Sequence, residues 1–126
     1  MAQRILVADD DSHSRDLITT ILSVHGYEVT ATCDGLEAQD EILSNPPDLA
    51  ILDIQMPGLT GTELCQSIKT NLDVSYVPVM LLSACTDTAQ RAQQCGADDY
   101  LLKPYSITNL CEKVVQLLVS QPLAVA

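Results

Sequence analysis

Five short apolar segments recur along the chain, and each has the length of a β-strand. The stretches between them carry apolar residues every three or four positions, which is typical of helices that pack on a sheet. The predicted strands are Arg4–Ala8, Tyr27–Thr32, Leu49–Leu52 running into Asp53, Tyr76–Leu82 and Asp98–Leu102. Strands that alternate with helices in this way predict an α/β protein with a parallel sheet.

Capping and turn residues mark where the predicted helices begin and end. Asp11 or Ser12 can cap the first helix, and Gly26 ends it. Thr60–Glu63 is a capping-box pattern that opens the third helix, and Gly96 ends the fourth. The predicted helices are Ser12–His25, Leu36–Leu43, a helix opening at Thr60, Thr86–Cys95 and a helix capped by Ser106. The apolar residues at helical spacing are Leu17, Ile18, Ile21, Leu22 and Val24 in the first helix, Leu64, Cys65, Ile68 and Leu72 on one side of the third, and Ile107, Leu110, Val114, Leu117 and Leu118 facing inward in the last.

The number of predicted strands favours one of the two common doubly wound topologies. Five parallel strands suit the flavodoxin-like order 2-1-3-4-5, with five helices divided between the two faces of the sheet. The pattern contains no internal repeat, so we expect one domain over residues 1–120. Residues 121–126 are expected to be a frayed tail or the start of a linker.

Composition and charge narrow the range of partners. The 126-residue chain has a formal net charge of -11, which disfavours binding to nucleic acid or to an anionic membrane. The sequence has no apolar stretch long enough to cross a bilayer and no signal-peptide pattern, so we expect a cytoplasmic protein. The five cysteines are scattered and are expected to be reduced thiols.

Acidic residues follow two of the predicted strands. Asp9 and Asp10 come directly after the first strand, and Asp53 ends the third. In the order 2-1-3-4-5 these two strands are neighbours, so the three carboxylates are expected to converge at the carboxyl edge of the sheet, where ligands bind in such folds. Ser83 and Lys103 end the fourth and fifth strands on the same edge.

Three carboxylates held together repel one another unless cations join them. Lys103 and one divalent cation would balance their formal charge. Oxygen ligands favour Mg²⁺ or Mn²⁺, and Mg²⁺ also accepts a phosphate oxygen as a ligand. Because an aspartate can form an aspartyl phosphate, and because a hydroxyl and an ammonium suit a phosphoryl group, the pattern is consistent with phosphoryl transfer.

Four sequence segments together resemble the response-regulator receiver domains of two-component signalling, of the chemotaxis-regulator type. They are Ile5–Asp10, Leu52–Gly58, Leu82–Ala84 and Gly96–Pro104, and the resemblance extends over nearly the whole chain. Each segment is weak evidence by itself. All four in this order, at strand ends, are highly specific.

The resemblance implies a role for each matching residue. Asp53 would accept a phosphoryl group from a histidine kinase or a histidine phosphotransfer protein. Mg²⁺ would be bound by Asp10, Asp53 and the backbone carbonyl of Gln55, with Asp9 acting through a water. Lys103 and Ser83 would contact the phosphoryl group.

The resemblance also implies an output. Tyr100 would be a rotamer switch that follows Ser83 and changes the surface of the fourth helix, fifth strand and fifth helix for a downstream protein or domain. The Lys103–Pro104 peptide bond would be cis. Cys85, two residues beyond Ser83, stands where its size and polarity could affect access of water to the phosphoryl group.

Three alternatives remain open to test. A receiver-like module that is never phosphorylated would act only by binding partners, although the acids, Ser83 and Lys103 argue against it. A metal-dependent phosphatase of the aspartyl-phosphate type would carry D-x-D after the first strand. A flavin-binding protein of this fold would need a hydroxyl- and glycine-rich loop in the place of Asp9 and Asp10. We therefore predict a signalling module that catalyses its own phosphorylation and dephosphorylation but is not an enzyme acting on an outside substrate.

Overall fold

The computed structural model describes residues 2–119, so the tail predicted over residues 121–126 lies outside the described residues. Strands and helices alternate throughout this range. The strands are β1 (Arg4–Ala8), β2 (Glu28–Thr32), β3 (Leu49–Asp53), β4 (Val79–Ser83) and β5 (Asp99–Leu102). The helices are α1 (Ser12–Val24), α2 (Gly35–Ser44), α3 (Gly61–Thr70), α4 (Thr88–Cys95) and α5 (Ile107–Val119).

The sheet is parallel and has the strand order 2-1-3-4-5, which confirms the predicted topology. Its central strands are fully buried because helices cover both faces. In the register of the sheet, Ala8 lies beside Leu52, and Asp53 lies beside Leu82. The ends of β1, β3 and β4 are therefore level with one another.

Alternate residues of β1, β3 and β4 contribute to two separate hydrophobic clusters, one on each face of the sheet. Leu6 and Ala8 of β1 belong to the cluster covered by α2, α3 and α4. Ile5 and Val7 belong to the cluster covered by α1 and α5. Leucine, isoleucine, valine and alanine supply most of both clusters, as expected for a chain without tryptophan or phenylalanine.

Side chains and glycine fix the helix ends much as the sequence predicts. The Asp11 carboxylate accepts a hydrogen bond from the Ser14 N–H and caps α1. The capping box of α3 is formed in both directions between Thr60 and Glu63. Gly96 ends α4 with a φ of 81°, a left-handed conformation that glycine adopts without a steric penalty.

Several predicted boundaries and the predicted positions of Leu72 and Ile107 were wrong. β4 begins at Val79, three residues later than predicted, because a turn in which the Val77 N–H bonds to the Val74 carbonyl precedes it. α4 begins at Thr88 rather than Thr86. Leu72 is 91% exposed because α3 has already ended at Thr70. Ile107, predicted to face inward, is 54% exposed at the first position of α5. Leu17 and Val24 lie in α1 as predicted, and both are exposed.

Two glycines at helix starts allow the backbone of the β3–α3 loop to lie close to its neighbours. A Cβ on Gly61, the first residue of α3, would overlap the carbonyl oxygen of Asp53. A Cβ on Gly35, the first residue of α2, would overlap the carbonyl oxygen of Leu59. The loop that follows Asp53 is thus held against the first turns of two helices.

Candidate functional site

Three acidic residues converge where β1 and β3 end. Asp9 directly follows β1, and Asp53 is the last residue of β3. One carboxylate oxygen from each of Asp9, Asp10 and Asp53 lies within 4.8 Å of the others. Asp9 and Asp53 are buried and Asp10 is exposed, so the cluster has an inner side and a side open to solvent. The strand order therefore brings the predicted acids together.

The ammonium group of Lys103 connects the two buried acids. Its Nζ lies 2.6 Å from Asp53 Oδ2 and 3.3 Å from Asp9 Oδ2. Lys103 follows β5, and its backbone N–H donates to the Ser83 carbonyl at 2.9 Å, which fixes the residue at this edge of the sheet. The next peptide bond, Lys103–Pro104, is cis, as the resemblance implied.

Backbone N–H groups bind the other carboxylate oxygens. The Gln55 N–H donates to Asp53 Oδ1 at 2.9 Å, and the Asp11 N–H donates to Asp9 Oδ1 at 3.0 Å. Each buried acid is therefore bonded to Lys103 through one oxygen and to a following backbone amide through the other. This arrangement fixes the orientation of both side chains before any ligand binds.

Burial and pairing compete in setting the protonation of this site. Burial raises the pKa of Asp53 above its ordinary value, although Lys103 and the Gln55 N–H act in the opposite direction. Burial by itself would lower the pKa of Lys103, but the hydrogen bond and charge of Asp53, with those of Asp9, raise it overall. Lys103 therefore stays charged at neutral pH and neutralises part of the acidic cluster.

Ser83 lies on the same edge but is not bonded to the acids. It is the last residue of β4, it is buried, and its Oγ accepts a hydrogen bond from the Cys85 N–H at 3.0 Å. Within residues 2–119, the hydrogen-bond partners of Asp53 side-chain atoms are Lys103 and Gln55. Gln55 and Cys85, two residues beyond Asp53 and Ser83, contact each other, with Nε2 and Sγ 3.8 Å apart.

Tyr100 lies in β5 and packs, partly buried, against the cluster covered by α2, α3 and α4. The Nζ of Lys113, in α5, is 6.0 Å from the centre of its ring. The same Nζ is 3.0 Å from both carboxylate oxygens of Asp99. Sequence reasoning missed this contact between β5 and α5, because no local pattern links residues 14 positions apart.

A second cluster of potential ligand groups lies after β2. Atoms of Cys33, Asp34 and Glu37 are within 4.8 Å of one another, and Cys33 and Glu37 are exposed. Asp34 is the N-cap of α2 and accepts a hydrogen bond from the Glu37 N–H at 2.7 Å. Glu37 raises the pKa of the Cys33 thiol because its charge opposes the thiolate. We refer to these three residues as the α2 cluster.

Comparison with protein families and with curated proteins gives a consistent result. The family described as "Response regulator receiver domain" matches residues 5–115. The response regulator MprA of Mycobacterium bovis is 39% identical over 120 residues, which are 94% of this chain and 51% of that protein. The chain therefore spans about half the length of the curated relatives it matches.

Solved structures share the whole fold. The signal receiver domain of a signal transduction histidine kinase from Syntrophus aciditrophicus superposes with a TM-score of 0.89 at 32% identity, covering 99% of this chain and 98% of that one. The chemotaxis response regulator CheY4 of Vibrio cholerae gives 0.87 at 27% identity, covering 94% and 100%. Among the described residues, no helix is long and apolar enough to span a membrane.

Proposed function

The chain belongs to the response-regulator receiver domain family of two-component signalling, and on that premise we propose that it accepts a phosphoryl group on Asp53. Receiver domains of response regulators are signalling domains rather than classical enzymes, and response regulators interact with histidine kinases and output domains. For this chain, the phosphodonor would be a phosphohistidine of a kinase or of a histidine phosphotransfer protein.

The observation that carries the proposal is the position of Lys103 between two buried carboxylates. Asp53 Oδ2 is 2.6 Å from the ammonium, which is also 3.3 Å from Asp9. An ammonium at this position can stabilise the negative charge that develops on a phosphoryl group as it is transferred to the Asp53 oxygen. A carboxylate that only capped a turn would need neither burial nor this partner.

The residues of the site also fit Mg²⁺. Asp9, Asp10 and Asp53 offer oxygen atoms within 4.8 Å of one another, and oxygen ligands are what Mg²⁺ prefers. Asp10, Asp53 and the backbone carbonyl of Gln55 would hold the ion, with Asp9 acting through a water. When bound, the ion would offset carboxylate charge and supply a site for a phosphoryl oxygen.

The side chains divide the chemistry between them. The Asp53 oxygen forms the new O–P bond while the P–N bond to the donor histidine breaks, so the phosphoryl group moves without an outside substrate being turned over. Lys103 binds the transferred group, and the Ser83 hydroxyl donates to it. The same site would support hydrolysis of the aspartyl phosphate, with Gln55 and Cys85 at its opening.

We place the output on the surface formed by α4, β5 and α5. If Ser83 turns toward the phosphoryl group, its Oγ leaves its present hydrogen bond with the Cys85 N–H, and the loop before α4 shifts. Tyr100 lies on the neighbouring strand and is only partly buried, so its ring can occupy the space that opens. Phosphorylation would thereby select one of two arrangements of this surface.

The test measures the intact mass of the protein after incubation with a small phosphodonor, such as acetyl phosphate, and Mg²⁺. We expect the mass of one phosphoryl group on the wild-type protein and none on Asp53→Asn. Asp40→Asn, which changes a carboxylate on α2, is the matched control and should be phosphorylated normally. Phosphorylation of Asp53→Asn to the wild-type extent would mean that another residue is the acceptor. No phosphorylation of a wild-type protein that binds Mg²⁺ would favour a module that acts only by binding partners.

A further inference from the structure

A cysteine and a histidine meet between α1 and α5, and neither has been assigned a role above. Cys111 Sγ, in α5, lies 3.9 Å from His25 Nε2, at the end of α1. Cys111 is partly buried against the hydrophobic cluster of α1 and α5, and His25 is exposed. The pair is separated by 86 positions in the sequence, so only the packing of α5 beside α1 brings it together.

The hydrogen bonds of His25 determine which ring nitrogen can accept a proton. Its Nδ1 lies 2.8 Å from the carbonyl oxygen of Ile21. A carbonyl oxygen only accepts hydrogen bonds, so Nδ1 carries the hydrogen of the neutral ring. Nε2 therefore holds a free electron pair and accepts from the Cys111 thiol. A thiol, a base and a group that orients the base are the parts of an activated nucleophile.

His25 also lies at the carbonyl end of α1. The last carbonyl groups of a helix carry the negative end of its dipole. His25 caps this end, with its backbone N–H within hydrogen-bond distance of the Ile21 and Leu22 carbonyls. These bonds hold His25 at the end of α1, beside Cys111.

The other cysteines have different surroundings. Cys65 and Cys95 are buried, and burial raises the pKa of Cys65. Cys33 is exposed, but Glu37 opposes its ionisation and raises its pKa. Cys85 contacts the amide of Gln55 rather than a base. Within residues 2–119, Cys111 is the cysteine that contacts a histidine.

We propose that Cys111 is a site of oxidation by hydrogen peroxide, with His25 as its base. Cys111 gives its proton to His25 Nε2, and its sulfur attacks one peroxide oxygen. The S–O bond forms as the O–O bond breaks, and the leaving hydroxide takes the proton from His25 to become water. The sulfur is oxidised to a sulfenic acid and the peroxide is reduced. A small neutral oxidant fits a partly buried thiol on a chain of net charge -11, which repels anionic disulfides.

The test follows each cysteine separately in the folded wild-type protein. Alkylation by iodoacetamide, a neutral reagent, is timed by peptide mass spectrometry, and sulfenic acid formed by hydrogen peroxide is trapped with dimedone. We expect Cys111 to be alkylated faster than Cys33, although Cys33 is more exposed, and to carry most of the dimedone. Equal rates at the two cysteines, or dimedone mainly at Cys33, would overturn the proposal.

Two variants of the base and one control complete the test. His25→Gln and His25→Asn should each slow both reactions of Cys111 by about tenfold or more and leave Cys33 unchanged. Asparagine, like glutamine, retains an N–H donor for the end of α1. Two substitutions are used so that the test does not depend on a single one. His13→Gln removes the other histidine and should change neither rate. If Cys111 reacts at the wild-type rate in a folded His25 variant, His25 is not its base.

Discussion

Residues 2–119 contain two clusters of potential metal ligands. In both, the ligand atoms lie close together, but the clusters differ in burial and in what balances their charge. Asp9, Asp10 and Asp53 lie at the ends of two central strands, and two of the three are buried. The α2 cluster lies after β2, at the edge of the sheet, and none of its members is buried. Both sets of atoms satisfy the same 4.8 Å separation.

The difference lies in what balances the negative charge. In the first cluster the Lys103 ammonium contacts two buried carboxylates, whose remaining oxygens accept backbone N–H groups. In the α2 cluster, Asp34 caps a helix and Glu37 opposes ionisation of Cys33. Acidic groups in water need no common partner, whereas buried ones do. Burial with a shared cation, rather than proximity, therefore distinguishes a candidate site from a helix cap.

The largest expected effect concerns Mg²⁺ affinity. Asp10→Ala removes one oxygen ligand and one charge from the first cluster, so we expect the affinity to fall by about tenfold or more. Glu37→Ala makes the same type of change in the α2 cluster and should leave the Mg²⁺ affinity unaltered. Calorimetric titration of both variants measures this, and a similar loss in both would erase the distinction between the clusters.

The second prediction concerns which amide NMR signals change when a ligand binds at the first cluster. Beryllofluoride, a phosphoryl mimic, should shift amide NMR signals across residues 84–110 and leave those of the α2 cluster in place. Ser83→Ala removes the hydroxyl that we propose connects the site to the loop before α4, so the shifts near Tyr100 should shrink while beryllofluoride still binds. Shifts as large as those of the wild-type protein would exclude Ser83 as the link.

A smaller effect, on the free energy of unfolding, is expected when the helix α2 loses its N-cap, Asp34. Asp34→Ala removes the acceptor for the Glu37 N–H, and loss of such a cap lowers the free energy of unfolding by about 1 kcal/mol. Urea denaturation should show this decrease, with phosphorylation of Asp53 unaffected. Loss of phosphorylation in a folded Asp34→Ala protein would mean that the α2 cluster belongs to the site.

The smallest effect is a change in the pH dependence of one thiol. Because Glu37 raises the pKa of Cys33, the thiolate forms at higher pH than in an ordinary cysteine. In Glu37→Gln we expect that pKa to fall, so alkylation of Cys33 should reach its half-maximal rate at lower pH. Cys111 provides the internal reference. An unchanged profile for Cys33 would mean that the two side chains do not interact in solution.

The strand order and the convergence of Asp9, Asp53 and Lys103 could be predicted from the sequence. Each residue ends an apolar segment, and parallel topology brings the carboxyl ends of strands to one edge. Such reasoning failed at Tyr76, which was predicted to begin a strand, and at Leu72, which was predicted to lie in the third helix. The hydrophobicity of each residue suits the predicted element. Both lie in the segment between α3 and β4, where turn hydrogen bonds determine the course of the backbone.

Contacts between distant elements could not be predicted in this way. The ion pair of Lys113 with Asp99 and the contact of Cys111 with His25 depend on where α5 lies along β5 and α1. Hydrophobic spacing shows which face of α5 points inward but not its position along the sheet. By contrast, the pairing of Lys103 with the buried acids could be predicted. Lys103 directly follows a strand, and the register of the sheet fixes where strands end.

The close approach of Gly35 and Gly61 to the β3–α3 loop has a consequence for mutational tolerance. At either position an added methyl group would meet backbone, which has no alternative rotamer to adopt. At Gly26, by contrast, a Cβ would meet nothing, and only its φ of 92° restricts the choice of residue. A library of all substitutions should therefore retain only glycine at positions 35 and 61 and accept asparagine at position 26. The position of Asp53 and the loop after it would then depend on two residues that have no side chain and perform no chemistry.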